Sequence, residues 1–409
     1  MTNSHIQPRF KTQRGFTLTE ILVAVVLSSI VLLAVFAVSQ NSSRTFQIQN
    51  DATQATDQLN FAMDLIKSDL RRAAFLTIPN SQIETYPNGV QVCGTPAGTM
   101  LQALRVVDDA NNWVPPTTEN GDTAIMMVDG DARSPDELVL FGAYRSEQSY
   151  PVLLTQPTEI RVQHGFGGGV ALTEAEVTTI AARQFTGSIL AVYSRNDAVQ
   201  FVRSVATSPA SAVPGQAEVL RIPVRDTVTD YAGVLCDFGS PWSPGRRVVP
   251  LHSIRYYIAR DPENPNTTVL IREEQSYDGT VLDRIVVGSN IVDFQVWFDE
   301  RQGLVGQPLT NMTLDSVVND DRGTTNATNL AGNATSRPEL VRFAHVQLSS
   351  RLQNSIPGLE EGSSVTNGLR DRVEVVEYTG AGEAIPTNEY TRVLTIRAEV
   401  ELTNFGLAD

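Results

Sequence analysis

Lysine is almost missing from this 409-residue chain: Lys11 and Lys67 are the only two, and arginine supplies the other basic residues. Acidic residues outnumber basic ones 46 to 31, giving a net charge of −15, and no basic cluster interrupts that balance. Such a chain has no electrostatic footprint for nucleic acid. It also repels anionic lipid surfaces, so any membrane attachment must be hydrophobic. Cysteine is scarce as well. Cys93 and Cys236 stand far apart, the four histidines (His5, His164, His252 and His345) are scattered, and no CxxC, HExxH, GxSxG or P-loop pattern occurs. A Cys/His zinc site would need more ligands at closer spacing. The two cysteines permit one disulfide in an oxidising compartment or two buried thiols in a reducing one. With 19% charged and 41% hydrophobic residues the composition is that of a globular protein, and the length suggests two to three domains.

Proline and glycine are absent from Phe16 to Thr77. A polar leader, residues 1–15, carries Arg9, Lys11 and Arg14; then Phe16 to Val38 runs apolar with Glu20 as its only charge. A run of this length spans a bilayer as a helix, with the basic flank on the cytoplasmic side and the rest of the chain beyond the membrane. Two plain readings compete. A secretory signal is one, with a small-x-small site at Ala37-Val38-Ser39, although the apolar run is longer than such signals use and holds a carboxylate. A simple signal anchor is the other. In it Glu20 sits near the cytoplasmic interface and matters little, although a carboxylate buried at mid-bilayer costs about 2.5–3.5 kcal/mol and so marks function. Neither reading explains a Gly-Phe junction where leader meets apolar run.

The stretch Gly15-Phe16-Thr17-Leu18-Thr19-Glu20, followed by Ile21-Leu22-Val23-Ala24-Val25, resembles the class III signal of type IV pilins and pseudopilins. The resemblance implies that a prepilin peptidase cuts between Gly15 and Phe16 and methylates the new amine of Phe16. It implies also that the apolar helix is retained and becomes part of a filament core. Among packed helices, away from lipid, the Glu20 carboxylate needs a cation, and the amine of a neighbouring Phe16 supplies one, which sets subunit register.

The helix continues past Val38. Ala52, Ala55, Leu59, Ala62, Ile66, Leu70 and Ala73 recur at spacings of three and four, while Asp51, Gln54, Asp57 and Lys67 fall off that stripe, and Pro79 supplies a stop. A helix over 16–78 is expected, transmembrane in 16–38, forming a rod of roughly 90 Å. Ser28 and Ser29 are expected to bond their own backbone carbonyls. From 79 to 409 short β-rich runs predominate: Ala124–Val128, Leu138–Gly142, Ile189–Tyr193, Val219–Pro223, Ile254–Ile258, Ile291–Phe298, Val341–Leu348 and Val393–Leu402. No βαβ alternation is evident, so the expected fold class is α+β: a pilin-like lollipop with antiparallel sheet on the long helix.

Later segments resemble PilW-type minor pilins: Ile66–Phe75 at the end of the helix, Ser134–Leu140, Val286–Glu300, Val341–Arg351 and Thr391–Phe405. A pilin fold at this length implies insertions, most obviously the polar stretch 302–337, whose Asn326 and Asn333 sequons read as a Ser/Thr/Asn-rich loop. Gly165–Gly169 opens no helix in a βαβ unit and reads as a turn beside His164. Asp129, Asp131, Asp136 and Glu137 are calcium candidates, but they lack the EF-hand glycine and terminal glutamate, so a turn is favoured. In the compartment beyond the membrane Cys93 and Cys236 would close a loop of over a hundred residues, worth about 5 kcal/mol if bonded. Trp113, Trp242 and Trp297 read as core or strand-face residues.

No catalytic set and no cofactor motif emerge. The resemblance therefore implies a structural subunit, a minor pilin that primes assembly or stands at the tip. Its partners would be other pilins, the prepilin peptidase, an inner-membrane assembly platform and a tip adhesin. It would lie in a bacterial inner membrane, then in a pilus at the cell surface. A pseudopilin of a type II secretion system and a membrane-anchored periplasmic adhesin domain are the alternatives.

Overall fold

The structure, a computed structural model, describes residues 17–74, 104–107, 135–146, 148–156, 158–165, 172–193, 199–204, 210–224, 246–261, 264, 267–276, 279–300, 341–352, 372–378 and 384–403. It divides into two compact units, one up to Thr53 and the other from Gln54.

Helix α1 (Leu18–Arg72) crosses that division without a break. Among the described residues of the first unit it is the one element, and its apolar side chains are exposed; Leu32 and Leu33 are 67% and 68% accessible. In the second unit the same helix is amphipathic, burying Ala55, Leu59, Ala62, Met63, Ile66 and Leu70 while Gln54 and Asp57 stay exposed. The expected stripe is therefore the buried face from Ala55 on, with Met63 and Asp69 added and Ala52 only half-buried. The helix ends earlier than Pro79 suggested. Ala74 takes a left-handed φ of 59° and its N–H bonds the carbonyl of Phe141, which closes the helix against the sheet.

The body is built from β1 (Leu104–Val107), β2 (Glu137–Gly142), β3 (Tyr150–Thr155), β4 (Glu159–Gln163), α2 (Glu174–Phe185), β5 (Ile189–Tyr193), β6 (Val199–Arg203), β7 (Ser211–Val213), β8 (Gln216–Pro223), β9 (Arg247–Arg260), β10 (Thr268–Gln275), β11 (Val281–Ser289), β12 (Ile291–Glu300), β13 (Val341–Arg351), β14 (Arg372–Tyr378) and β15 (Ala384–Glu401). Among the described residues these strands form an 11-stranded sheet, β1 to β11, and a four-stranded sheet in the order β12-β13-β15-β14. Every pairing is antiparallel. The fold is thus α+β, a long N-terminal helix followed by an antiparallel β-rich body.

Among the described residues four apolar clusters hold the body, and two of them are the main cores. The larger packs Leu59, Ile66 and Leu70 of α1 against Leu138, Leu140, Tyr256 and Leu270 of one sheet and Phe294, Phe298 and Leu348 of the other. The smaller gathers Val177, Ala181 and Phe185 of α2 with Val152, Ile160, Leu190, Leu220 and Ile222. This second core belongs to a lobe, residues 150–224, inserted between β2 and β9. It is an insertion that the sequence pattern did not indicate; the stretch 302–337 expected to be one lies outside the described residues, as does Ala124–Val128.

Helix α2 starts on a capping box. Thr173 Oγ1 accepts from the Glu176 N–H at 3.3 Å, and the Glu176 carboxylate accepts from the Thr173 N–H at 2.9 Å. Thr173→Ala removes the first of these bonds and unfixes the second. We expect a loss of about 1 kcal/mol, read as faster amide exchange across the first turn of α2 and a lower denaturation midpoint.

Candidate functional site

The functional candidates concentrate at the start of α1. Thr17 caps the helix, and Glu20 answers it: one carboxylate oxygen accepts from the Thr17 N–H at 2.9 Å and from its hydroxyl at 3.0 Å, while the Glu20 N–H donates back to Thr17 Oγ1 at 3.3 Å. This is a second capping box, Thr-x-x-Glu, and the sequence pattern that announces it lay inside the motif already singled out. The carboxylate so placed also favours the positive end of the helix dipole. Gly15 and Phe16, the cleavage candidates, lie outside the described residues. Ser28 and Ser29 bond the carbonyls of Ala24 and Val26, each at 2.7 Å, as expected for hydroxyls in an apolar helix. Among the described residues α1 is the one helix long and apolar enough to cross a membrane.

The other end of α1 is clamped by charge. Asp69, 3% exposed, accepts at 2.6 Å from both Tyr256 Oη of β9 and Arg272 Nε of β10. The Tyr144 hydroxyl donates to the Asp69 carbonyl at 3.0 Å, and Arg72 donates to the carbonyls of Ala143 and Tyr144 at 3.1 and 2.9 Å. Burial, with the Asp69 charge nearby, pushes both tyrosine hydroxyls well above their usual range. The fit is close enough that a Cβ on Gly142 would stand 2.8 Å from the Arg72 carbonyl oxygen. This clamp was not legible from spacing, because Asp69 and Arg272 are 203 positions apart.

The remaining candidates disperse. Asp136 is 5% exposed; its carboxylate accepts from the Val296 N–H, and its own N–H bonds the Phe294 carbonyl, both at 2.7 Å, which ties the lead into β2 to β12. Glu137 pairs with Arg255 at 2.7 Å. The two calcium candidates that are described thus serve strand contacts, while Asp129 and Asp131 lie outside the described residues. Cys93, Cys236, Trp113, Trp242, Asn326 and Asn333 do so as well. His164 and Gly165 line a shallow open cleft with Gln148, Ser149, Tyr150, Pro151 and Gln163. His345 lies on β13 opposite Trp297 of β12 and Glu399 of β15, and His252 is buried on β9. No group of three or more His, Cys, Asp or Glu among the described residues is arranged to hold a metal ion.

No curated protein and no solved structure matches the chain. The prokaryotic N-terminal methylation motif matches residues 10–36, which span the leader's end, the Gly15-Phe16 junction, Glu20 and most of the exposed apolar helix. The match supports a prepilin-like protein, a pilin or pseudopilin in kind, held in a membrane by the apolar start of α1.

Proposed function

We propose that this chain is a minor pilin of a type IV pilus, a structural subunit that primes assembly or occupies the tip complex. The observation that carries the reading is the order of parts: a methylation motif at 10–36, an unbroken 55-residue helix exposed where it is apolar, and a large antiparallel body. In this reading prepilin peptidase cuts after Gly15 and methylates Phe16. The helix waits in the inner membrane, with the body in the periplasm, until an assembly platform moves it into the filament. There it packs on the helices of other pilins.

Two features support a minor rather than a repeating subunit. The body carries an inserted lobe with its own core, and a body of that size at every filament position would crowd its neighbours. The segments that resemble PilW-type minor pilins also fall on connected elements: the end of α1, β2, the end of β11 with β12, β13 and β15, all of which contribute to the larger core. The role is one of packing and presentation rather than catalysis.

The test is an immunoblot of sheared filaments for this protein and for the major pilin, in wild-type and deletion strains. Co-shearing with pili, together with scarce pili in the deletion strain, is the expected result. Normal piliation and a protein that stays with the cells would overturn the proposal and leave the secretion pseudopilin or anchored adhesin in its place.

A further inference from the structure

The inserted lobe and the rest of the 11-stranded sheet share strand β9. Residues 247–251 of β9 pair with β5, and 247–248 also with β3. Residues 253–260 pair with β10 and 252–256 with β2. His252 stands where one set of partners gives way to the other. Its side chain is 1% exposed, and neither ring nitrogen has a hydrogen-bond partner among the described residues. A buried imidazole in that condition is tolerated only in its neutral form.

The lobe is tied to β9 by the β5 ladder and by an apolar cluster of Phe141, Ile189, Ala191, Phe201, Val249 and Leu251, whereas its contacts with β10 are polar. Arg145, from the segment joining β2 to β3, makes an ion pair with Glu274 of β10 and donates to the carbonyl of Arg183 near the end of α2. Ser276, just past β10, donates to the Gly187 carbonyl at 2.9 Å. Gly187 has a φ of +67°, and a Cβ there would lie 2.6 Å from Ser276 Oγ, so the two surfaces meet without room between them. On β9 and β10, His252, Ile254 and Glu274 project to the same face.

We propose that this seam is an acid-released latch: a proton on His252, placed beside the Arg145 guanidinium, loosens the contacts by which the inserted lobe is held to β10. The charged group that acts on the imidazole is Arg145, from the β2–β3 segment, and Glu274 of β10 lies on the same face. Glu274 is already engaged by Arg145. Farther along the same face Arg272 and Asp69 are paired with each other, and from α2 Arg183 offers its backbone carbonyl while the residue is exposed. A second positive charge at the seam therefore competes with Arg145 for the Glu274 carboxylate.

The sign follows from linkage. Burial first, and the Arg145 charge second, hold His252 down to about 3 in the closed form, against 6.5 when free. Below pH 6.5 the opened form binds a proton that the closed form does not, so each further pH unit favours opening by up to about tenfold.

The test is hydrogen exchange by mass spectrometry on the full chain in detergent, from pH 7.5 to 4.5, corrected for intrinsic exchange. Amides at 186–189 and 274–276 should exchange up to about a hundredfold faster at pH 4.5, while those at 344–348 in β13 hold steady. His252→Leu, which removes the titrating ring and fills most of its volume, should flatten the profile. A flat wild-type profile, equal acceleration in β13, or a profile that persists in His252→Leu would each overturn the latch. The first two outcomes need only the wild-type chain.

Discussion

Asp69→Ala is expected to lower the stability of the body by about 3–5 kcal/mol, the loss typical of removing one member of a buried ion pair. The substitution leaves Arg272 without its carboxylate and Tyr256 Oη without its acceptor, inside the core that joins α1 to both sheets. It should appear as a lower urea midpoint with little change in slope. Asp69→Asn keeps an acceptor for Tyr256 and should lose less. Replacing Asp69 and Arg272 together by apolar residues should recover part of the deficit, because the cost lies in the orphaned charge rather than in the lost pair. A change under 1 kcal/mol in Asp69→Ala would show that the clamp is incidental to the docking of the helix.

Glu20→Ala is expected to leave cleavage after Gly15 intact and to reduce recovery of the protein with sheared filaments by roughly ten- to a hundredfold. That range is what losing one charge-assisted hydrogen bond between subunits would produce. The capping box at Thr17 makes a second variant necessary. Glu20→Gln keeps acceptors for the Thr17 N–H and hydroxyl, since glutamine serves at the third helical position, but it carries no charge. If Gln fails as Ala does, the carboxylate works by pairing with the amine of a neighbouring Phe16. If Gln assembles normally, its work is to start the helix, and the register argument is lost.

What could be read from the residues and what could not divide along sequence separation. The apolar run, the Gly-Phe junction and Glu20 lie within a few turns of one another, and their chemistry is local. The stripe of Ala55, Leu59, Ala62, Ile66 and Leu70 is likewise a matter of helical period, and it is buried as the period requires. Strand Ile189–Tyr193 is apolar throughout and reads as a strand because all five residues are buried. Helix α2 escaped notice because only Val177, Ala181 and Phe185 of its 12 residues are buried, too few to dominate the surrounding β-rich pattern. Its Thr173-x-x-Glu176 box was the available sign. Asp69 escaped for the opposite reason: a charged residue beside an apolar stripe reads as solvated until its partner is known. The dual pairing of β9 is a tertiary property with no local trace.

The clamp at the end of α1 has a consequence for synthesis. Hairpins such as β9–β10 and β10–β11 join neighbours and can form as soon as they are made. Asp69, by contrast, waits for Arg272, 203 residues later, so helix closure depends on a contact that exists only after about two thirds of the 409-residue chain has left the ribosome. Loop closure over that length is slow, and the apolar face of residues 55–70 stays uncovered meanwhile. A chaperone that binds amphipathic helices, or the membrane surface itself, has that whole interval in which to act on the nascent chain.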